Sequence, residues 1–166
     1  MFLAAVARPR KDTAKNSWFD GKLGIWPFVE RKIAQRTSKN RSAGTIETKT
    51  VTAVTRAEYV TMLLDNVIPT IAAKFPRRNH RNVIYLQQDN AKSHIKEDDL
   101  LVSEAGRQLR LNLRLLCQPP NSLDFKVLDL GYFRSIQTLQ HEEAPRSYDE
   151  LIAAVEKSLS DLKIEN

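Results

Sequence analysis

Apolar residues recur along the chain at two different spacings, with polar stretches between them. FLAAVAR (2–8) and KLGIWPFVE (22–30) are short, mostly apolar runs and read as two strands. The polar ARPRKDTAKNSWFDGK between them reads as a turn region, with Gly21 helping the reversal. Residues 31–56 show no apolar period and read as a basic surface loop, opened by Ser42, Ala43 and Gly44. From Arg56 to Phe75 the spacing changes. Val60, Leu63, Leu64, Val67, Ile68 and Ile71 follow the 3.6-residue period of an amphipathic helix, which Pro69 should kink or divide.

The second half repeats the alternation of element types. VIYLQQ (83–88) is a nearly continuous apolar run, as in a strand covered on both faces, and LRLLCQPP (113–120) is a further strand ended by its prolines. KEDDLLVSEAGRQ (96–108) predicts a helix whose first turn carries Asp98 and Asp99. Residues 122–140 have helical spacing at Leu128, Phe133 and Ile136. SYDELIAAVEKSLSDLK (147–163) predicts a terminal helix, with Ser147 and Glu150 as a capping box and Leu151, Ile152, Val155, Leu159 and Leu162 as its apolar face. The order strand, strand, helix, strand, helix, strand, helix, helix defines an α/β fold, a mixed sheet with helices packed on it. With 166 residues and no internal repeat, one domain is expected.

Composition adds a sign. Twenty-six Lys and Arg against 20 Asp and Glu leave a net charge of +6, which attracts polyanions without naming one. Much of the excess lies at Arg31, Lys32, Arg36, Lys39, Arg41, Lys49 and Arg56, opposed in that stretch by Glu47. The single cysteine, Cys117, excludes an intramolecular disulfide and reads as a small buried hydrophobe. The apolar opening is too short for a signal core or a membrane span, so no membrane partner is expected. Trp18, Trp26 and Phe28 read as packing groups of the first strand pair, and His80 and His141 as solvent-facing.

Two carboxylates stand out. Asp89 follows the VIYLQQ strand directly, at the edge where open α/β sheets place ligands, and Asp129 follows a loop near the start of a helical segment. Acids in such positions can converge on divalent cations for phosphoryl transfer. Any two Asp residues would satisfy that description, so the words around them matter. QQDNAKSH and QPPNSLDFKVLDLGYFRSI resemble the catalytic segments of the Tc1/mariner DDE/D transposases. Gln87, Asp89, Asn90, Ala91 and His94 match the segment of the second acid. Pro119, Pro120, Ser122 and Asp124 match the segment that precedes the third, which falls five residues on, at Asp129. Asp129 lies 40 positions after Asp89, leaving 39 residues between them. That spacing, and the strings FLAAVARPR, GKLGIWPF and NRSAGTIETK, look like the plant-type mariner-like branch. Leu123 departs from the usual Pro and Lys126 from the frequent Asn.

The resemblance implies a ribonuclease H-like sheet of strand order 3-2-1-4-5, with Asp89 and Asp129 as catalytic, metal-holding acids for Mg²⁺ or Mn²⁺. It implies DNA cleavage and strand transfer in cut-and-paste transposition, nuclear location, and DNA as partner. The basic stretch, as a phosphate-contacting surface rather than a solvated loop, would then offer Arg36, Lys39 and Arg41 to DNA, beside Lys92 and His94 near the Asp89 edge. It also implies a first catalytic Asp on a central strand upstream of FLAAVAR, and a helix-turn-helix region before that. Residues 1–166 include neither, so they are expected to be a partial catalytic domain, inactive alone, with two sheet halves whose edges re-pair or take a strand from another chain. A non-catalytic module that binds DNA or pairs with a like chain or a full-length transposase, and a decayed transposon relic, are the competing expectations.

Overall fold

The computed structural model describes residues 1–39, 41–76, 82–119, 137, 145 and 147–162. It is a mixed α/β structure of small sheets and helices. β1 (Phe2–Val6) pairs antiparallel with β4 (Lys22–Pro27), and β7 (Val83–Gln88) pairs parallel with β8 (Asn112–Cys117). Two further antiparallel pairs project from this body, β2 (Arg10–Asp12) with β3 (Ser17–Phe19), and β5 (Val29–Ile33) with β6 (Ile46–Thr50). The strands expected at 2–8, 22–30, 83–88 and 113–120 are therefore present, each bound within three residues of the expected one. Those expected to be loop at 10–19 and 31–50 are hairpins instead.

The β5–β6 hairpin escaped the hydrophobic pattern because little of it is buried. Ile33 and Ile46 face each other across it while 68% and 67% exposed. Its register sets Glu30 opposite Lys49 and Lys32 opposite Glu47, so cross-strand charge rather than an apolar face selects the pairing. The β2–β3 hairpin closes on the buried Asp12, whose Oδ1 accepts the Ala14 and Lys15 N–H groups at 3.0 and 3.2 Å. Asp20 instead pairs with Lys22 at 3.2 Å.

One long helical run carries the core. α1 (Arg56–Met62) begins in a capping box: the Glu58 N–H donates to Thr55 Oγ1, and the Thr55 N–H donates to Glu58 Oε2. The run continues through a π-helical turn at Leu63–Val67 into α2 (Ile68–Lys74). Pro69 was expected to kink or divide the helix. It has no N–H to donate and its ring crowds the carbonyl one turn back, and the wider π turn just before it absorbs this without interrupting the run. Leu63, Val67, Ile68 and Ile71 are each at most 2% exposed. They join Leu23 and Phe28 from one side to Ile95, Val102, Leu111, Leu113 and Leu115 from the other in a single core.

α3 (Leu101–Gln108) packs on β8 and starts later than the expected residue 96. Asp99 precedes it and accepts the Leu101 N–H at 3.1 Å, as the expectation of helix-start charge requires. The terminal helix α4 (Tyr148–Asp161) lies on the opposite face of β1–β4, where Val155 meets Ala4 and Ile25. Ser147 caps it, accepting the Glu150 N–H at 3.2 Å. Phe28 is buried and Trp26 half-buried, as expected of packing groups, but Trp18 is 53% exposed on the β2–β3 hairpin, where no core lies beneath it. Cys117 is half-buried rather than buried. No helix among the described residues is long and apolar enough to cross a membrane. The helical spacing at 122–140, His80 and His141 lie outside the described residues.

Candidate functional site

The helical run spans both strand pairs and orients them. At its first end, the Tyr59 hydroxyl donates to Gln88 Oε1 at 3.0 Å, at the C-terminal end of β7. At its other end, Lys74 Nζ donates to the Leu23 carbonyl of β4 at 2.7 Å, and the Phe75 ring meets Phe19 edge-on and lies under the Arg10 guanidinium. Leu23 and Arg10 flank the C-terminal end of β1. Thus β1 ends where β7 begins, and the two strands run antiparallel to one another.

They do not pair. β1 and β7 each bond one neighbour, β4 and β8, among the described residues. Between them lies a cavity of about 1410 Å³, lined by Leu3–Thr13 of one side, 82–89 of the other, and Tyr59, Leu63, Val67 and Ile71 beneath. Asp89 and His94 stand at one end of this slot.

That end is a built hydrogen-bonded corner. β7 delivers Gln88 buried and Asp89 exposed, by the alternation of a strand. The Gln88 amide donates to the Ile95 carbonyl and approaches Cys117 Sγ at 3.5 Å. The Cys117 N–H donates to Glu97 Oε1. After Asp89 the chain turns back, with the Ala91 N–H on Asp89 Oδ1 at 2.9 Å and Asn90 Nδ2 on the Gln118 carbonyl at 2.6 Å. The turn brings His94 onto Asp89, its Nδ1 2.8 Å from Oδ1 and 2.9 Å from the backbone carbonyl. Two oxygen acceptors around Nδ1 require that nitrogen to carry its proton. The imidazole stacks on the Tyr59 ring, centroids 4.2 Å apart. Burial, then the charges of Asp89 and Cys117, push the Tyr59 phenol well above its ordinary pKa, so it serves as a fixed, neutral donor.

Asp89 Oδ1 is thereby engaged, whereas Oδ2 has no partner among the described residues. A hard carboxylate oxygen at an exposed strand end is the kind of ligand Mg²⁺ takes in small number. Among the described residues no three His, Cys, Asp or Glu side chains gather around a common point, and Asp129 lies outside them. Pro120, Ser122, Leu123, Asp124 and Lys126 lie outside them too.

The remaining residues singled out for DNA contact are scattered. Arg36 and Lys39 are exposed at the far end of the β5–β6 hairpin, and Arg41 there forms an ion pair with Glu47. Glu47 also pairs with Lys49 at 3.5 Å, so it offsets more of the basic stretch than its lone position suggested. Lys92 is exposed in the turn after Asp89, beside His94. Tyr59, Gln88 and Glu97 belong to the corner, and the sequence pattern did not mark them. Tyr59 sits in the amphipathic run between half-buried Glu58 and half-buried Val60, and only its phase, four residues before Leu63, placed it on the inner face. No protein-family model matches the chain, and no curated protein matches it.

Proposed function

We propose that the chain is a partial catalytic domain of a mariner-type DDE/D transposase, a ribonuclease H-like sheet whose central strand is not among these 166 residues. Asp89 and Asp129 are two of its metal-holding acids, and the chain as it stands does not cleave DNA. Divalent cations, when bound, would activate a nucleophile and stabilise the leaving oxygen in phosphodiester cleavage and strand transfer. The supporting observation is the placement of Asp89. It is exposed at the C-terminal end of a parallel strand, held by His94, at one end of a slot between β1 and β7. The lateral order β4, β1, slot, β7, β8 is compatible with 3-2-1-4-5 in which the slot stands for strand 1. In this reading His94 orients the carboxylate and leaves Oδ2 free, Tyr59 fixes the imidazole plane, and DNA lies near Lys92.

A second reading, a DNA-binding module that is not catalytic or a module that pairs with transposase, is favoured by exposed Arg36 and Lys39, which have no acidic partner among the described residues. A decayed relic predicts neither function nor cooperative folding.

Titration of the isotope-labelled chain with Mn²⁺ separates these. Paramagnetic broadening centred on both Asp89 and Asp129, and lost in Asp89→Asn, is expected. Broadening elsewhere, or at one acid alone, removes the transposase reading. Supercoiled plasmid incubated with the chain and Mg²⁺ or Mn²⁺ should remain intact. A nick abolished by Asp89→Ala would overturn the claim that the chain is inactive alone. Salt-dependent DNA retention without a localised Mn²⁺ site would favour the second reading.

A further inference from the structure

Two hairpins project from the body, and their charge is arranged differently. In β5–β6 the register opposes Glu30 to Lys49 and Lys32 to Glu47, so the pairing itself offsets those cations. In β2–β3 it opposes Lys11 to Trp18. Residues 8–19 hold four cations, Arg8, Arg10, Lys11 and Lys15, all exposed, and one carboxylate, Asp12. That carboxylate is buried and accepts the Ala14 and Lys15 N–H groups of its own turn. None of the four cations has an acidic partner among the described residues.

The two faces of β2–β3 are occupied differently. Opposed residues of an antiparallel pair share a face, and successive residues alternate between faces. Arg10 and Phe19 therefore share one face, which is seated on the end of α2. There the Phe19 and Phe75 ring centroids lie 6.1 Å apart, and the Arg10 guanidinium lies 4.8 Å from the Phe75 centroid. Lys11 and Trp18 share the opposite face, which turns outward. Trp18 is 53% exposed, and its indole has neither a ring nor a hydrogen-bond partner among the described residues. The seat on Phe75 and the turn held by Asp12 fix the angle of the hairpin, so the indole is presented to solvent on a rigid mount.

An open indole beside unpaired cations suits a nucleic-acid strand, because the ring stacks on a base while the ammonium groups meet flanking phosphates. Stacking needs a base whose face is uncovered. In a duplex both faces are covered by neighbouring pairs, so the strand must be unpaired. A lipid surface fits less well. Membrane binding scales with the apolar area inserted, and Trp18 is the one exposed large apolar side chain in residues 8–19.

We propose that the outward face of β2–β3 is a binding site for single-stranded nucleic acid. Trp18 stacks on one base, and Lys11 and Lys15 meet phosphates beside it. β1 leads into this hairpin at the end of the slot opposite Asp89, so the site is separate from the metal-holding corner and does not depend on it.

The probe is fluorescein-labelled oligo-dT of about a dozen nucleotides, compared with an abasic strand of equal length that keeps the phosphates and lacks the bases. In anisotropy titrations of the 166-residue chain, oligo-dT should bind at least about fivefold more tightly than the abasic strand. Oligo-rU should bind comparably to oligo-dT, since neither an indole nor an ammonium reads the 2′-hydroxyl. Trp18→Ala should abolish the preference for bases and leave abasic binding unchanged. Trp18→Phe should keep part of the preference and lose the tryptophan quench that oligo-dT causes. Lys11→Gln should weaken both strands alike and reduce the log–log salt slope by about 0.7, the share of one phosphate contact. Equal binding of oligo-dT and the abasic strand, or wild-type affinity in Trp18→Ala, would overturn the proposal. So would loss of oligo-dT binding only in Arg36→Gln or Lys39→Gln, which would move the contact to β5–β6. Vesicles of phosphatidylserine and phosphatidylcholine that shift Trp18 emission to the blue, with no quench by oligo-dT, would give this face to lipid instead and overturn it too. A localised Mn²⁺ site without a preference for bases removes this proposal alone, and the converse removes only the metal reading.

Discussion

β1–β4 and β7–β8 lean on the same helical run, yet only β7–β8 ends in a hydrogen-bonded corner of carboxylate, imidazole and phenol. β1–β4 is covered on both faces, by α1–α2 and by α4, and its inward side chains are Leu, Ala, Ile and Trp. β7–β8 has its described helices on one face, leaving Tyr85 60% and Leu116 43% exposed on the other. It is also the parallel pair, so both its strands end at the same edge, and Gln88, Asp89, Cys117 and Gln118 meet there. A parallel pair gathers its strand ends on one side, whereas an antiparallel pair divides them between two. The hydrogen-bonded corner around Asp89 follows from that asymmetry.

The comparison is broken most severely by removing what the two pairs share. Ile68 is fully buried in the common core, so Ile68→Ala should lower the free energy of unfolding by about 2–5 kcal/mol. Urea unfolding followed by tryptophan fluorescence, which reports on the β1–β4 side, and by amide signals of β7 should shift together. Two separate midpoints would show that the halves fold independently.

A smaller loss should come from the β1–β4 side alone. Gly21 has a φ of +87°, and a Cβ there would lie 2.1 Å from the Ala7 carbonyl oxygen. That strain would also disturb the Ala7 N–H bond to the Gly21 carbonyl. Gly21→Ala should therefore cost about 2–3 kcal/mol. In native-state hydrogen exchange the loss should appear at β1 and β4 while the β7–β8 amides keep their protection. Equal loss on both sides would contradict the assignment.

The mildest change sharpens the β7 side. Tyr59→Phe removes the donor to Gln88 and should cost about 0.5–1.5 kcal/mol near neutral pH. Its pH dependence has a definite sign. The folded phenol holds its proton where the unfolded one releases it near pH 10, so the folded state binds more protons there. The stabilisation is complete below about pH 10 and is lost as pH rises further. The substitution should flatten that decline. An unchanged alkaline slope in thermal melts would show that Tyr59 is not the group responsible.

Much of this body was legible in the sequence because burial leaves a period. The strands around Leu3, Ile25, Ile84 and Leu115, the helix around Val67 and the terminal helix around Val155 all announced themselves by apolar spacing. The β5–β6 hairpin did not, because none of it is fully buried and its pairing rests on opposite charges rather than alternation. The later start of α3 depends on Asp99, which is held by Arg56 at 2.8 Å, a partner 43 residues away that no local pattern reveals. At the candidate site, Asp89 and His94 were marked by the motif they resemble. Tyr59 and Gln88 were not, since a buried polar pair is recognised by the partner that satisfies it, and that partner lies 29 residues off.

The π turn before Pro69 has a geometric consequence for the slot. Tyr59, Leu63, Val67 and Ile71 recur every fourth residue, and in a regular α-helix each such stride overshoots a full circuit by about 40°. Three strides would carry Ile71 about 120° round the cylinder from Tyr59 and off the floor. The π turn uses about one more residue per circuit, which takes back about two strides' drift. A ring stacked on His94 at one end and an isoleucine at the other thereby line the same channel, and deleting one residue between 63 and 67 would rotate them apart.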